Sequence, residues 1–179
     1  MGTFDGLHIG HLHVLSQLKS LTRKYNGESV ILTFWPHPRK VLSSGDIKLL
    51  NTIEEKIDLF ERNGIDHLII LDFTEELAAL TYENFVKKIL VDKLKLEHLV
   101  FFYVYRFGKN GEGTFEKLQP LAGKYRFKLH KLNEVRVGHA VSSTRISHAL
   151  QYGHVSEANK MLGYPYQLAV EVVKGEQLG

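Results

Sequence analysis

Two histidines three residues apart, in His8-Ile9-Gly10-His11, stand where a glycine-rich opening gives way to a helical pattern. At that spacing both imidazoles fall on one helix face. They would lie beside the free N–H groups and the positive dipole end of the helix, a setting suited to a polyphosphate. Gly10 would let a backbone approach closely, and the rings could hydrogen-bond the oxygens of a phosphorus under attack. Taken alone, the pair reads more simply as two surface histidines near a turn. No HExxH context or cysteine ligand accompanies it, so no metal ligand is assigned. A second segment, Ser142-Ser143-Thr144-Arg145, could cap a later helix or hold phosphate oxygens, with Arg145 neutralising a leaving pyrophosphate. A third, Phe34-Trp35-Pro36-His37-Pro38-Arg39, could stack an aromatic ring system or merely pack a strand end. No GxxxxGK[ST] loop is present, and Gly108, Gly111 and Gly113 are a weak signal by themselves.

The elements that must position these residues alternate. Ile9, Leu12, Leu15, Leu18 and Leu21 predict a first helix that Gly27 stops. Residues 29–34, 67–71, 98–103, 126–132 and 167–173 read as strands. Trp35-Pro36-His37-Pro38 reads as non-helical. Thr52 and Glu55 form a capping box for a second helix ended by Gly64. Thr81 caps a helix carrying Phe85, Ile89, Leu90 and Leu94. Another is placed at 119–125, with Pro120 in its first turn. Ser142 opens the next, closed by Gly153, and a short one covers 156–162. This alternation predicts an α/β fold with a doubly wound parallel sheet and right-handed crossovers, in which ligands gather at the carboxyl ends of the strands. One domain is expected over residues 1–163.

Composition narrows the classes. Hydrophobic residues make up 44% and charged residues 24%, an ordinary globular balance. The net charge of +3 fits anionic small ligands without arguing for nucleic acid. The absence of cysteine excludes disulfides and permits a cytoplasmic setting. No membrane span or signal peptide is expected.

In this order and spacing, the segments GTFDGLHIGH, TFWPHPRKVL, LLNTIEEKI, RFGKNGEG and AVSSTRI resemble the adenylyltransferase (FAD synthetase) module of bacterial bifunctional riboflavin kinase/FMN adenylyltransferases. The resemblance spans nearly the whole chain, including LGYPY near its end. It implies a Rossmann-like nucleotidyltransferase (HxGH) fold that joins AMP from ATP to FMN, giving FAD and pyrophosphate with Mg²⁺. It further implies that His8, His11 and Arg145 are catalytic. Gly2, Thr3, Phe4, Asp5, Gly6, Gly10, Ser142, Ser143 and Thr144 would bind ATP. Pro36, His37, Pro38, Asn51, Thr52, Arg106, Phe107 and Gly108 would border the flavin. Residues 164–179 resemble the start of a truncated riboflavin kinase domain, the expected partner in a full-length protein; kinase activity is not expected from them.

The chain also departs from the family pattern. Phe102 stands in place of a small residue, Val104 in place of a polar one, Ser147 in place of arginine and Leu12 in place of glutamine. The family's apolar strand before GTFDG is expected to be cut off or compensated. These departures motivate an alternative, a non-catalytic flavin- or nucleotide-binding relic. A related transferase with another acceptor is a third reading, against which the Pro-His-Pro stretch speaks.

Overall fold

The structure is a computed structural model that describes residues 1–43, 47–102, 105–132, 136–137 and 139–168. Helix α1 (Ile9–Tyr25) begins at the histidine pair and ends on Asn26, whose left-handed φ of 51° closes it before Gly27. Strand β1 (Val30–Trp35) follows, buried through its centre as its continuous apolar run requires. A cis Trp35–Pro36 bond leads into α2 (Pro38–Leu42). Helix α3 (Ile53–Arg62) starts on the expected capping box, with the Thr52 hydroxyl accepting from the Glu55 N–H and the Glu55 carboxylate accepting from the Thr52 N–H. Strand β2 (His67–Asp72) pairs in parallel with β1, Val30 opposite His67 and Trp35 opposite Asp72.

After α4 (Glu75–Ala78), α5 (Tyr82–Phe85) runs on into a π-helical stretch, Val86–Lys93. Strand β3 (His98–Phe102) is followed by a 3₁₀ turn at Lys109–Gly111 and by α6 (Phe115–Tyr125), then β4 (Lys128–Leu132) pairs in parallel with β3. A short antiparallel pair, β5 (Arg136–Val137) and β6 (His139–Ala140), precedes α7 (Ser143–Gln151) and α8 (Val155–Leu162).

The result is a mixed α/β architecture with parallel strands, and among the described residues the parallel pairs form two separate ladders. Three apolar clusters fill the spaces between layers. One joins β1 and β3 to the helices at 82–93 and 115–125, around Phe34, Phe85, Phe101 and Phe107. A second gathers Leu50 with Ile146, Met161 and Leu162 of α7 and α8. The third holds Phe4, Leu7, Leu15, Ile31 and Phe60. The segment at residues 1–8 touches the first through Met1 and the third through Phe4 and Leu7, so it sits where the clusters meet.

Several expected elements are corrected. Pro38 is not outside a helix but opens α2, at the first position, where a missing N–H costs nothing. Pro120 lies inside α6 rather than in its first turn, because Thr114, whose hydroxyl accepts from the Lys117 N–H, starts that helix a turn earlier. Arg126 caps α6 with φ 60° and the Phe127 N–H bonds back to Ala122, so β4 begins only at Lys128. The helix capped by Thr81 changes pitch at Val86. Gln167 and Leu168 are irregular, and the remainder of that expected strand lies outside the described residues, as does Val104.

The glycine loop is locked against α5. Gly108 has φ +73°, and a Cβ there would stand 2.7 Å from the Tyr82 backbone nitrogen, while the Lys109 N–H donates to the Leu80 carbonyl at 2.7 Å. Gly108→Ala therefore combines backbone strain with a clash against main chain, and is expected to cost about 2–3 kcal/mol. Urea unfolding checks this; an unchanged midpoint would show that the loop can move away.

Candidate active site

A tight turn at residues 2–8 is the physical centre of the site, because remote parts of the chain fasten its carbonyls. The Lys56 ammonium on α3 donates to the Thr3 carbonyl at 2.7 Å. The Ser143 hydroxyl, at the first turn of α7, donates to the Asp5 carbonyl at 2.7 Å. The Tyr164 hydroxyl, just beyond α8, donates to the Gly6 carbonyl at 2.7 Å. From the other direction the Asp5 carboxylate accepts from the Leu50 N–H at 2.8 Å, and the Gly2 N–H donates to Leu32 of β1. The turn needs this fastening. Phe4 and Leu7 have φ of 49° and 29°, where side-chain-bearing residues are strained, and both side chains are locked in the core. Gly6 has φ 78°, and a Cβ there would lie 2.5 Å from Leu50.

That turn delivers the histidines. His8 caps α1, its Nδ1 accepting from the His11 N–H at 3.4 Å. A neutral His8 therefore carries its proton on Nε2, leaving one aimed donor. The two rings stack with centroids 3.7 Å apart and 14° between planes, and Phe4 meets the His11 ring edge-on at 5.1 Å. Burial pushes His8 down to about 4. It pushes His11 well below the usual imidazole range, helped by the repulsion it would meet from a protonated His8 and by the charge of Lys56. Both rings are thus neutral near pH 7. Beside them the Asp5 carboxyl is raised by burial, against its bonds to the backbone at Leu50 and Asn51 and the pull of Lys56.

Among the described residues, two buried side-chain polar atoms lack any partner: Nδ1 of His11 and Oδ1 of Asn51. Buried polar atoms are rarely left unmade, since each costs about 1–3 kcal/mol. Both belong to residues the sequence singles out, and both flank the fastened turn.

The other expected residues divide. Gly10 lies under the His8 ring, where a Cβ would come within 3.1 Å. Ser142 caps α7 by accepting from the Arg145 N–H, and Ser143 is tied to Asp5, so the hydroxyl-rich turn converges on the opening turn. Thr144 is exposed. Arg145 donates to the Ala140 carbonyl at 2.9 Å and approaches Glu157 at 3.5 Å. His37 caps α2 by accepting from the Arg39 N–H, and lies between the half-buried Pro36 and Pro38. Its basicity is lowered by burial, then by Lys56, Arg39 and Lys40. Thr52 is engaged in the capping box. Phe107 is a core residue with Phe85 and Phe101 at 5.6 and 5.9 Å, whereas Arg106 is exposed. Phe102 ends β3, and the Ser147 hydroxyl accepts from Gln151. Sequence reading missed Lys56 and Tyr164. Lys56 did carry a signal, lying four residues before Phe60 and so on the inward face of α3.

A family model described as FAD synthetase matches residues 1–145. The bifunctional riboflavin kinase/FMN adenylyltransferase of Listeria monocytogenes is 35% identical over 182 residues, covering 100% of this chain and 57% of that protein. Its counterpart from Escherichia coli K12 is 31% identical over 181 residues, covering 100% and 58%. The chain thus spans a little over half the length of these curated relatives. A crystal structure of a macrolide-efflux protein from Streptococcus pneumoniae superposes with a TM-score of 0.83 at 28% identity, covering 93% of this chain and 56% of that one. Among the described residues, no helix is long and apolar enough to cross a membrane.

The buried imidazoles have a stability consequence. In the unfolded chain His8 takes up a proton near pH 6.5, but in the folded protein only near 4. The stability it preserves above pH 6.5 is therefore lost as pH falls through that window, and His11 acts in the same direction. Asp5, raised by burial, acts oppositely as pH climbs above its ordinary 3.8. Replacing His8 by Gln removes its share, together with its repulsion of a protonated His11. The variant is expected to lose about 2 kcal/mol less than the parent between about pH 7 and about pH 4.5. Urea titrations at both pH values check this, and parallel losses in the two proteins would contradict it.

Proposed function

Because the chain belongs to the FAD synthetase family, we propose that it transfers the adenylyl group of ATP to FMN, releasing pyrophosphate and forming FAD, as the names of its relatives describe for those proteins. The carrying observation is the pair of orphaned buried atoms, His11 Nδ1 and Asn51 Oδ1, flanking a turn that Ser143 ties to the second expected phosphate-binding segment. A domain with nothing to bind would gain by satisfying those atoms, which speaks against a relic.

In this reading an FMN phosphate oxygen attacks the α-phosphorus of ATP, the bond to the β-phosphate oxygen breaks, and pyrophosphate leaves. No enzyme nucleophile is needed; the protein supplies position and donors. The His8 Nε2–H and the His11 ring face the phosphoryl oxygens as neutral donors, so the substrate's own charge is met without a proton transfer. Residues 2–6 and Gly10 cradle the triphosphate at the start of α1, where free N–H groups gather. Ser142, Ser143 and Thr144 border its distal end, and Arg145 meets the departing pyrophosphate with the guanidinium donors that Ala140 and Glu157 leave over. Pro36, His37, Pro38, Asn51 and Thr52 border the flavin, with Arg106 and Gly108 at the loop between ligands; the buried Phe107 supports that loop. The Pro-His-Pro stretch favours a planar acceptor over a simple phosphorylated alcohol.

Mg²⁺ is the metal this chemistry uses. Among the described residues no three His, Cys, Asp or Glu groups converge to hold a cation, and the Asp5 carboxylate is turned onto the Leu50 amide. The residues present do not form a cage, so the ion would ride on phosphate oxygens and water, and no residue of this chain is assigned to it. We assign residues 1–163 to a doubly wound nucleotidyltransferase domain of the HxGH type acting in the cytoplasm. Tyr164 and Tyr166 pack against α7 and α8, so the packed unit runs slightly past that boundary. The riboflavin kinase activity that the relatives' names also carry is not assigned to residues 1–163.

Incubation with FMN, ATP and Mg²⁺ is expected to yield FAD and pyrophosphate in equal amounts by chromatography. His11→Asn should lower kcat by about a hundredfold. Folded protein that binds both substrates yet forms no FAD would contradict the proposal.

A further inference from the structure

Lys56 is an unusual residue for the inner face of a helix. It is only 3% exposed, and lysine is almost never so buried unless its charge is used. Its ammonium donates to the Thr3 carbonyl, which also accepts from the Thr33 hydroxyl of β1 at 3.4 Å. Lys56 therefore clamps the start of the turn from α3, while Ser143 and Tyr164 clamp its next carbonyls from α7 and beyond α8. Thr3 lies five residues before His8, and Phe4, whose strained φ follows directly from that clamp position, touches the His11 ring. Nearly buried, the ammonium has little surface to offer a substrate, and a neutral side chain of similar length would fill the same volume without desolvating a charge.

We infer that Lys56 is a positioning residue for adenylyl transfer: bonded to the Thr3 carbonyl beneath the opening turn, it fixes the backbone that aims His8 and His11, without itself touching substrate. This rests on the reading of the site as an adenylyltransferase. The same charge serves both sides of the site. Burial is the main reason that the His11 and His37 imidazoles are less basic than usual, and the Lys56 charge adds to it at both rings. The other groups facing His11 are His8 and the chain's first amino group, and those facing His37 are Arg39 and Lys40, all positive or neutral. Asp5 answers the Lys56 charge.

Lys56→Met removes bond and charge, Lys56→Gln keeps a donor without charge, and Lys56→Arg keeps both. With FMN, ATP and Mg²⁺, kcat of the Met variant should fall about a hundredfold, as misaimed groups of this kind do, with KM for both substrates held within about threefold. The Arg variant should recover most of that loss. Removing the charge should also shift the His11 ring resonances in the substrate-free protein and move the acid limb of the pH profile to higher pH. If the Met variant does not fold, Lys56→Leu, which likewise removes bond and charge, carries the same test. A folded Met variant with kcat within about threefold of the parent would overturn the inference, as would a loss lying wholly in KM. If the parent protein forms no FAD, the enzymatic reading fails separately, and the histidine resonances alone then decide the positioning role: unmoved signals overturn it.

Discussion

The structure depends on a chain reversal whose carbonyls cannot be satisfied locally. Between Gly2 and His8 the backbone twice enters the left-handed region at residues with side chains, so it cannot make regular ladder bonds. Thr3, Asp5 and Gly6 instead receive an ammonium, a serine hydroxyl and a phenol from three separate parts of the chain. These bonds span 53, 138 and 158 residues of sequence, so the turn is fastened only by contacts drawn from most of the length of the domain. The site and the tertiary structure are in this sense one object.

The electrostatics follow from the same burial. A lysine, an aspartate and two imidazoles are brought together with little water, and desolvation leads the list of forces on each of them. The imidazoles respond by remaining neutral. A neutral pair is well matched to the charged nucleotide proposed as its substrate, since two imidazolium ions 3.7 Å apart would repel each other before any anion was present. The arrangement costs stability at acid pH and leaves two polar atoms waiting for partners.

Much of this was legible in the residue pattern. The capping box at Thr52, the cap at Thr81 and the parallel strands follow from local rules that the packing does not oppose. What was not legible was set by tertiary contact. Pro120 sits mid-helix because a threonine six residues earlier won the capping position. Phe107 looked like part of a ligand loop, but its ring is drawn into the core beside Phe85 and Phe101. Asp5, expected among the residues around ATP, has a carboxylate that accepts from the backbone amide of residue 50, a bond that no spacing in the sequence announces. Tyr164, in a segment that resembled the start of another domain, closes the turn from a distance no spacing rule reaches.

Whether the two orphaned atoms meet a nucleotide is measured most directly by side-chain NMR of the histidines and Asn51 during addition of a non-hydrolysable ATP analogue with Mg²⁺. The His11 ring nitrogens and the Asn51 amide are expected to move together and to saturation, as Nδ1 and Oδ1 gain partners, with backbone amides of residues 2–11 and 142–145 shifting at the same concentration. Saturable shifts confined to the outer face of α1, around Lys19 and Arg23, with His11 and Asn51 unmoved, would contradict that expectation.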